Sequence, residues 1–349
     1  FMHKKNQEIF IEGNQYILIR MKKIIFAFMI ISFNSFCQKD QNKDITVFDS
    51  SILSIIDKNV KIEILGNNFK VAEGPLWDDN DNKLIFTDVR QNKVFTWDIN
   101  NGINEYIVPS GSTGYAPSFQ KGGVGANGIA FDKNGDIILC QHGDRRVAKI
   151  SNKKNNDPEF ITIIDNYKGK RFNSPNDLSI SKNGDIYFTD PPYGFWYDRK
   201  NFDNRYREID FNGIYKISSE GKVDLISKEM TLPNGIALSL DEKYIYVNNS
   251  DRENDPKIMR YDTKTYQGIL FFDGKELVKK YKGGFDGLKV HSSGNIFTSG
   301  PNGILIISPE GKLMAMINYG KALTNCNFDK EEKYLYVTGF NDLSRIKLK

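Results

Sequence analysis

Six polar residues open six strand-like stretches of this chain: Glu73, Asn127, Asn176, Asn234, Asp286 and Asn325. Each is followed at once by Gly, Asp or Cys and lies beside an alternating apolar run. Oxygen-bearing side chains that meet in a buried place are costly unless something satisfies them. Asn side chains bonded to backbone around a water-filled channel account for Asn127 and Asn325. The carboxylates of Glu73 and Asp286, aimed at a common point, repel each other unless a cation lies between them. Carboxylate and amide oxygens, with no thiolate or imidazole, suit a hard cation such as Ca²⁺ or Mg²⁺.

A repeat is what brings these positions together. Residues 171–195 show it most clearly: Asn176-Asp177 follows a proline, an alternating stretch Leu178–Ser181 meets the turn Lys182-Asn183-Gly184-Asp185, and Ile186–Thr189 runs on to Asp190-Pro191-Pro192-Tyr193. Period-two alternation on either side of an Asn-Gly turn predicts a β-hairpin. The same hairpin recurs from Glu73, Asn127, Asn234, Asp286 and Asn325, each time with a further short strand behind it. Units of roughly 40 to 60 residues built this way predict an all-β fold, a six-bladed β-propeller forming one domain over residues 60–349. The innermost strands of a propeller line its central channel, so equivalent positions converge near the axis. The stretch Lys61–Phe69, ahead of the first unit, is expected to add a strand to the last blade and close the ring.

Composition agrees. With 24 Phe, 17 Tyr and 29 Gly in 349 residues, the chain favours strands and tight turns. The formal charge of +4 is largely N-terminal: setting aside the five Lys/Arg and two Glu of residues 1–37 leaves 43 basic against 42 acidic residues. No basic stripe is interleaved with aromatics, so nucleic acid is not an expected partner. Cys37, Cys140 and Cys326 form no CxxC pair, and the latter two read as buried strand cysteines. Residues 1–20 read as sequence upstream of a start at Met21. Residues 21–37 read as a signal peptide: Met21-Lys22-Lys23 is a basic lead, Ile24–Phe33 an apolar core and Asn34–Cys37 a polar end. That predicts a periplasmic or secreted protein without a membrane span. Lipidation at Cys37 is the competing reading, and Asn34 and Phe36 fit it poorly. Residues 38–59 are expected to be a lead-in, polar and flexible over 38–48.

The runs Glu73-Gly-Pro-Leu-Trp77, Ser174-Pro-Asn-Asp-Leu178, Tyr187-Phe-Thr-Asp-Pro-Pro-Tyr-Gly194, Leu232-Pro-Asn-Gly235 and Phe285-Asp-Gly-Leu288 resemble the SMP-30/gluconolactonase family. His142-Gly-Asp-Arg-Arg-Val147 resembles its bacterial gluconolactonase branch. The resemblance runs from about residue 60 to the end and implies a six-bladed propeller. It further implies a hydrolase of sugar-acid lactones with one divalent metal, Ca²⁺ first and Mg²⁺, Mn²⁺ or Zn²⁺ as alternatives. Glu73, Asn234 and Asp286 would hold the metal, with Asn176 a further ligand or a substrate contact. Asp286 would act as general base. Arg146 and Arg171, with Arg145, offer forked donors for a polyol or a product carboxylate. Tyr193 and His142 are further candidates for the substrate site, and loops 110–125 and 194–212 for its rim. Two other readings stay open: a hydrolase of other lactones or esters on the same site, and a non-catalytic propeller that binds a sugar or a protein around a structural metal.

Overall fold

The computed structural model describes residues 44–117, 124–152, 158–195 and 201–349. The segments expected over 1–20 and 21–37, with Cys37, lie outside the described residues, as do 118–123 and 196–200 of the two rim loops. Six antiparallel sheets follow one another as blades. Blade 1 comprises Ala72–Asp78, Lys83–Asp88, Lys93–Asp98 and Gly102–Ile107. Blade 2 comprises Ala126–Phe131, Ile137–Gln141, Arg146–Asn152 and Glu159–Ile164. Blade 3 is Leu178–Ile180, Ile186–Asp190, Gly213–Ile217 and Val223–Ser227; blade 4 is Pro233–Leu238, Tyr244–Asn249, Lys257–Asp262 and Gly268–Asp273. Blade 5 is Leu288–Val290, Ile296–Gly300, Gly303–Ile307 and Leu313–Asn318, and blade 6 opens with Leu323–Phe328, Tyr334–Gly339 and Asp342–Lys347.

The second strand of every blade is buried almost end to end. Blades stacked face to face cover both sides of such a strand, so it reads as a near-continuous apolar run. Aliphatic and aromatic side chains fill the space between blades. Phe69 meets Phe86 and Phe95 edge-on at 5.2 and 5.6 Å, and Phe172 meets Phe188 and Tyr215 at 5.1 Å. Asp residues close many of the tight turns by accepting backbone N–H groups. Asp132 takes those of Asn134 (2.8 Å) and Asp136 (2.9 Å), and Asp262 those of Lys264 (2.9 Å) and Thr265 (2.8 Å).

The ring closes as the sequence suggests. Ile62–Asn67 pairs antiparallel with Asp342–Lys347 as the fourth strand of blade 6, and Arg345 clasps Glu63 with two hydrogen bonds at 2.7 and 3.1 Å. Of the stretch 38–48 expected to be flexible, the described residues from 44 on are ordered instead. Ile45–Val47 adds a fifth strand to blade 5, Asp49 caps the 3₁₀ turn Ser50–Ser54, and Ile45, Ile52, Ile56 and Val60 are buried between blades 5 and 6. Their isolated isoleucines carry too little periodicity to announce a strand, yet burying each apolar side chain stabilises by about 1.5–3 kcal/mol. Cys140 and Cys326 are buried free thiols on strands, and burial raises the pKa of each.

Candidate active site

The innermost strands begin with a distortion. In blades 1, 2, 4 and 6 the pairing with the second strand slips at Glu73/Leu76, Ala126/Ile129, Pro233/Ile236 and Leu323/Cys326. A bulge interrupts the alternation and re-aims a side chain, and here it falls on the polar residue. In blades 3 and 5 the same end is met by extended chain, with Asn176 and Asp286 just ahead of Leu178–Ile180 and Leu288–Val290.

The small residue after each polar one has a packing cause. Neighbouring blades approach there backbone to backbone: the N–H groups of Gly128, Gly235 and Gly287 donate to the carbonyls of Asn176 (2.7 Å), Asp286 (2.9 Å) and Thr324 (2.7 Å). A Cβ on Gly235 would stand 2.2 Å from the Asp286 carbonyl oxygen. From the second strands, Thr87, Thr189 and Asn248 donate to the carbonyls of Asn127 (2.9 Å), Asn234 (2.7 Å) and Asp286 (2.7 Å). Each polar residue is therefore fixed by its own blade and by the one before it.

Glu73, Asn127, Asn176, Asn234 and Asp286 line one cleft of about 430 Å³, together with His142 and Tyr193. Asn176 Nδ2 lies 3.3 Å from His142 Nε2. The Asn325 amide sits beneath, donating to Glu73 Oε2 (3.1 Å) and Asp177 Oδ2 (3.3 Å). Asp177 is a buried carboxylate that the sequence pattern did not assign to the site; its signal was that it replaces the glycine used in four other blades. Burial, then the charge of Asp177, pushes Glu73 up to about 7, against the Gly74 N–H that donates to it at 2.9 Å. Burial, then the charges of Glu73 and Asp177, holds Asp286 well above the ordinary carboxylate range, while a hydrogen bond from Asn234 opposes this. Burial raises the Tyr193 phenol as well.

Arg146 and Arg171 do not reach the cleft. Arg146 is buried with its guanidinium bonded to Gln141 (2.6 Å), Thr162 (2.7 Å) and Asp144 (3.3 Å), over the Tyr115 ring at 3.9 Å. Arg171 lies on the ribbon Asn166–Tyr167/Lys170–Arg171, 5.5 Å from the same ring. Arg145 donates to the carbonyls of Phe172 (2.6 Å) and Arg171 (3.2 Å). These arginines brace the loops of blades 2 and 3. Residue type alone suggested a substrate role, whereas protein acceptors take the donors of Arg145 and Arg146, and Arg171 is not part of the cleft lining. Arg90, Ser250 and Arg252 line the cleft without having been singled out from sequence.

The donor set fits a hard cation. Glu73 is buried with Asp177, half-buried Asp286 adds a further carboxylate, and the Oδ1 atoms of Asn127 and Asn176 are buried without a protein hydrogen bond. Among the described residues no group of three His, Cys, Asp or Glu could hold a metal by itself, so the amide oxygens of Asn176 and Asn234 would complete the shell.

The SMP-30/gluconolactonase/LRE-like region matches residues 71–341. The chain belongs to this family. It is 36% identical to a gluconolactonase of Zymomonas mobilis over 317 residues, 87% of this chain and 86% of the relative. A lactonohydrolase of Aspergillus oryzae is 25% identical over 53% of this chain and 46% of its own. Among solved structures, a gluconolactonase of Xanthomonas campestris superposes with a TM-score of 0.74 over 88% of this chain and 95% of its own, at 22% identity. The calcium-binding protein regucalcin of Agrobacterium tumefaciens does so with a TM-score of 0.61 over 82% and 95%, at 15% identity. The last two likenesses speak for the propeller fold shared across the family.

Proposed function

We propose that the chain is a metal-dependent lactonase that opens the ester bond of a cyclic ester, with D-glucono-1,5-lactone the first substrate to test. The observation that carries the reading is the convergence of Glu73, Asn176, Asn234 and Asp286 on one cleft, in a chain similar over most of its length to a gluconolactonase. Glu73, Asn234 and Asp286 would hold one divalent ion, with Asn176 beside them. Calcium suits all-oxygen donors best, and a calcium-binding structural neighbour supports it; Mg²⁺, Mn²⁺ and Zn²⁺ are the alternatives. The ion, when bound, would polarise the lactone carbonyl and make a water molecule more acidic. Asp286 takes the proton from the attacking water as general base. Asn176, steadied by His142, orients the ring, and Tyr193 walls the site. The signal-like residues 21–37 support a periplasmic or secreted location.

The test is proton release from D-glucono-1,5-lactone in excess EDTA, then with each ion restored, for the native chain and for Asp286→Asn. Metal-restored acceleration is expected, reduced at least 100-fold in the variant while its circular dichroism is unchanged. Folded, metal-binding protein that accelerates no lactone with any ion would move the assignment to a non-catalytic propeller binding a sugar or a protein.

A further inference from the structure

The cleft is lined by two unlike kinds of side chain. His142, Asn176 and Tyr193 of blades 2 and 3 present polar groups. The lining also holds Val71, Val89, Leu232, Ala322, Leu323 and Phe340, from strand ends and turns of blades 1, 4 and 6. Phe340 stands 48% exposed beside the cleft, although it follows a strand whose other side chains are buried.

Among the polar groups that share this lining, Thr324, Ser250 and Arg252 spend their donors on backbone carbonyls, and exposed Arg90 follows Val89. Thr324 Oγ1 donates to the Ala72 carbonyl at 2.5 Å, and Ser250 Oγ to that of Phe285 at 2.6 Å. The Arg252 guanidinium donates to the carbonyls of Gly283 and Val278, tying down the chain that follows the helix Lys275–Lys280. A fully hydroxylated ring placed in the cleft would satisfy hydroxyls at His142, Asn176 and Tyr193. Against Val89, Leu232, Leu323 and Phe340 it would press them on side chains that offer nothing in return, and an unpaired hydroxyl removed from water is destabilising. An alkyl group placed there loses only water.

Resting on the lactonase reading above, we propose that the natural substrate is a lactone carrying an apolar substituent. Its ester group lies among Glu73, Asn176, Asn234 and Asp286, and its substituent lies against Val89, Leu232, Leu323 and Phe340. The wall is continuous with the site, so one molecule can occupy both. A cleft of about 430 Å³ falls within the range of roughly 300 to 1,000 Å³ that takes molecules larger than a bare sugar ring. Hydrolysis adds water across the ring ester: the acyl–oxygen bond breaks, and a hydroxy acid leaves with the substituent intact.

The experiment compares kcat/KM for D-glucono-1,5-lactone, δ-valerolactone, δ-hexalactone, δ-octalactone and δ-decalactone, using the full chain loaded with its activating ion. Each methylene buried against the wall is expected to raise kcat/KM by about threefold to fourfold until the wall is covered. In Phe340→Ala, and separately in Leu232→Ser, the δ-decalactone to δ-valerolactone ratio is expected to fall at least threefold. Phe340 is half exposed, so its removal leaves the core in place. A flat or falling dependence on chain length, with D-glucono-1,5-lactone the best substrate, overturns the apolar substituent and leaves the lactonase standing. Turnover of no lactone in either set overturns the lactonase reading itself, and this inference with it.

Discussion

Asp177 is the residue whose presence most changes the electrostatics of the site. Its carboxylate shares the Asn325 amide with Glu73 and raises the proton affinity of both Glu73 and Asp286. The dipeptide that contains it was conspicuous in sequence, but position assigned the chemistry to Asn176 and left its neighbour as strand chemistry. Its charge, close enough to act on Glu73, gives it a long-range attraction for a cation without requiring contact. Asp177→Asn is therefore expected to weaken metal affinity by about 10-fold, in the range measured when outer partners of a site are changed, while kcat at saturating metal stays near that of the native chain. Isothermal titration beside steady-state kinetics separates the two quantities; equal affinity in both proteins would remove Asp177 from the site. The arginines teach the converse. Arg146 and Arg171 carry the right chemistry for a sugar acid, yet whether a guanidinium is free depends on acceptors such as Thr162 and Asp144, and nothing in a linear pattern discloses that.

Two substitutions probe the elements that hold these residues. Gly235 lies against the blade 5 backbone, and an added methyl group would meet the Asp286 carbonyl oxygen at 2.2 Å. Gly235→Ala is expected to cost about 1–3 kcal/mol, as overpacking does, and to lower activity beyond the loss of folded protein because Asp286 must shift. Denaturant unfolding and kinetics on the folded fraction measure both. Asp190 ends the second strand of blade 3, and its two oxygens accept the N–H groups of Asn173 and Ser174, each at 2.8 Å, fixing the loop that carries Asn176. Burial pushes this carboxyl up to about 7, against those N–H groups and the charges of Arg145 and Arg207. A folded pKa above the unfolded carboxylate value near 3.9 means the native state binds the proton more tightly. That contribution is full below about pH 3.9 and is lost as pH rises to about 7. Asp190→Asn cannot titrate, so its Tm relative to the native chain is expected to rise between pH 4 and 7; a falling difference would show the carboxylate held in place by Arg145 and Arg207 instead. Repeats made the hairpins and the polar openings legible in the sequence. The bulges at Glu73 and Pro233 and the wall of Val89, Leu232 and Phe340 were not, because they depend on register and on turns far apart in the chain.

The ring as a whole is closed in two ways, and they are independent. One is covalent order: Ile62–Asn67 completes blade 6, while Ile45, Ile52 and Ile56 pack where blades 5 and 6 meet. The other is the axis. Glu73 belongs to blade 1, Asn176 leads into blade 3, Asn234 belongs to blade 4 and Asp286 leads into blade 5. One ion among them would join four of the six blades. Without it, buried Glu73 and Asp177 stand with half-buried Asp286, and the charges that raise the proton affinity of Glu73 and Asp286 oppose closure of the channel. Metal binding to the folded state alone stabilises it by about 2.7 kcal/mol at 100 times Kd. Chelation with EDTA is therefore expected to lower Tm at pH 7.5, and added Ca²⁺ to restore it in a concentration-dependent way. In Glu73→Gln the chelated protein should melt higher than the chelated native chain, since one buried charge is gone, and should gain less from Ca²⁺. Differential scanning calorimetry of both proteins with and without Ca²⁺ decides it. If the variant gained as much from Ca²⁺ as the native chain, the ion would lie elsewhere and Glu73 would serve only to bond Asn325 and the Gly74 backbone.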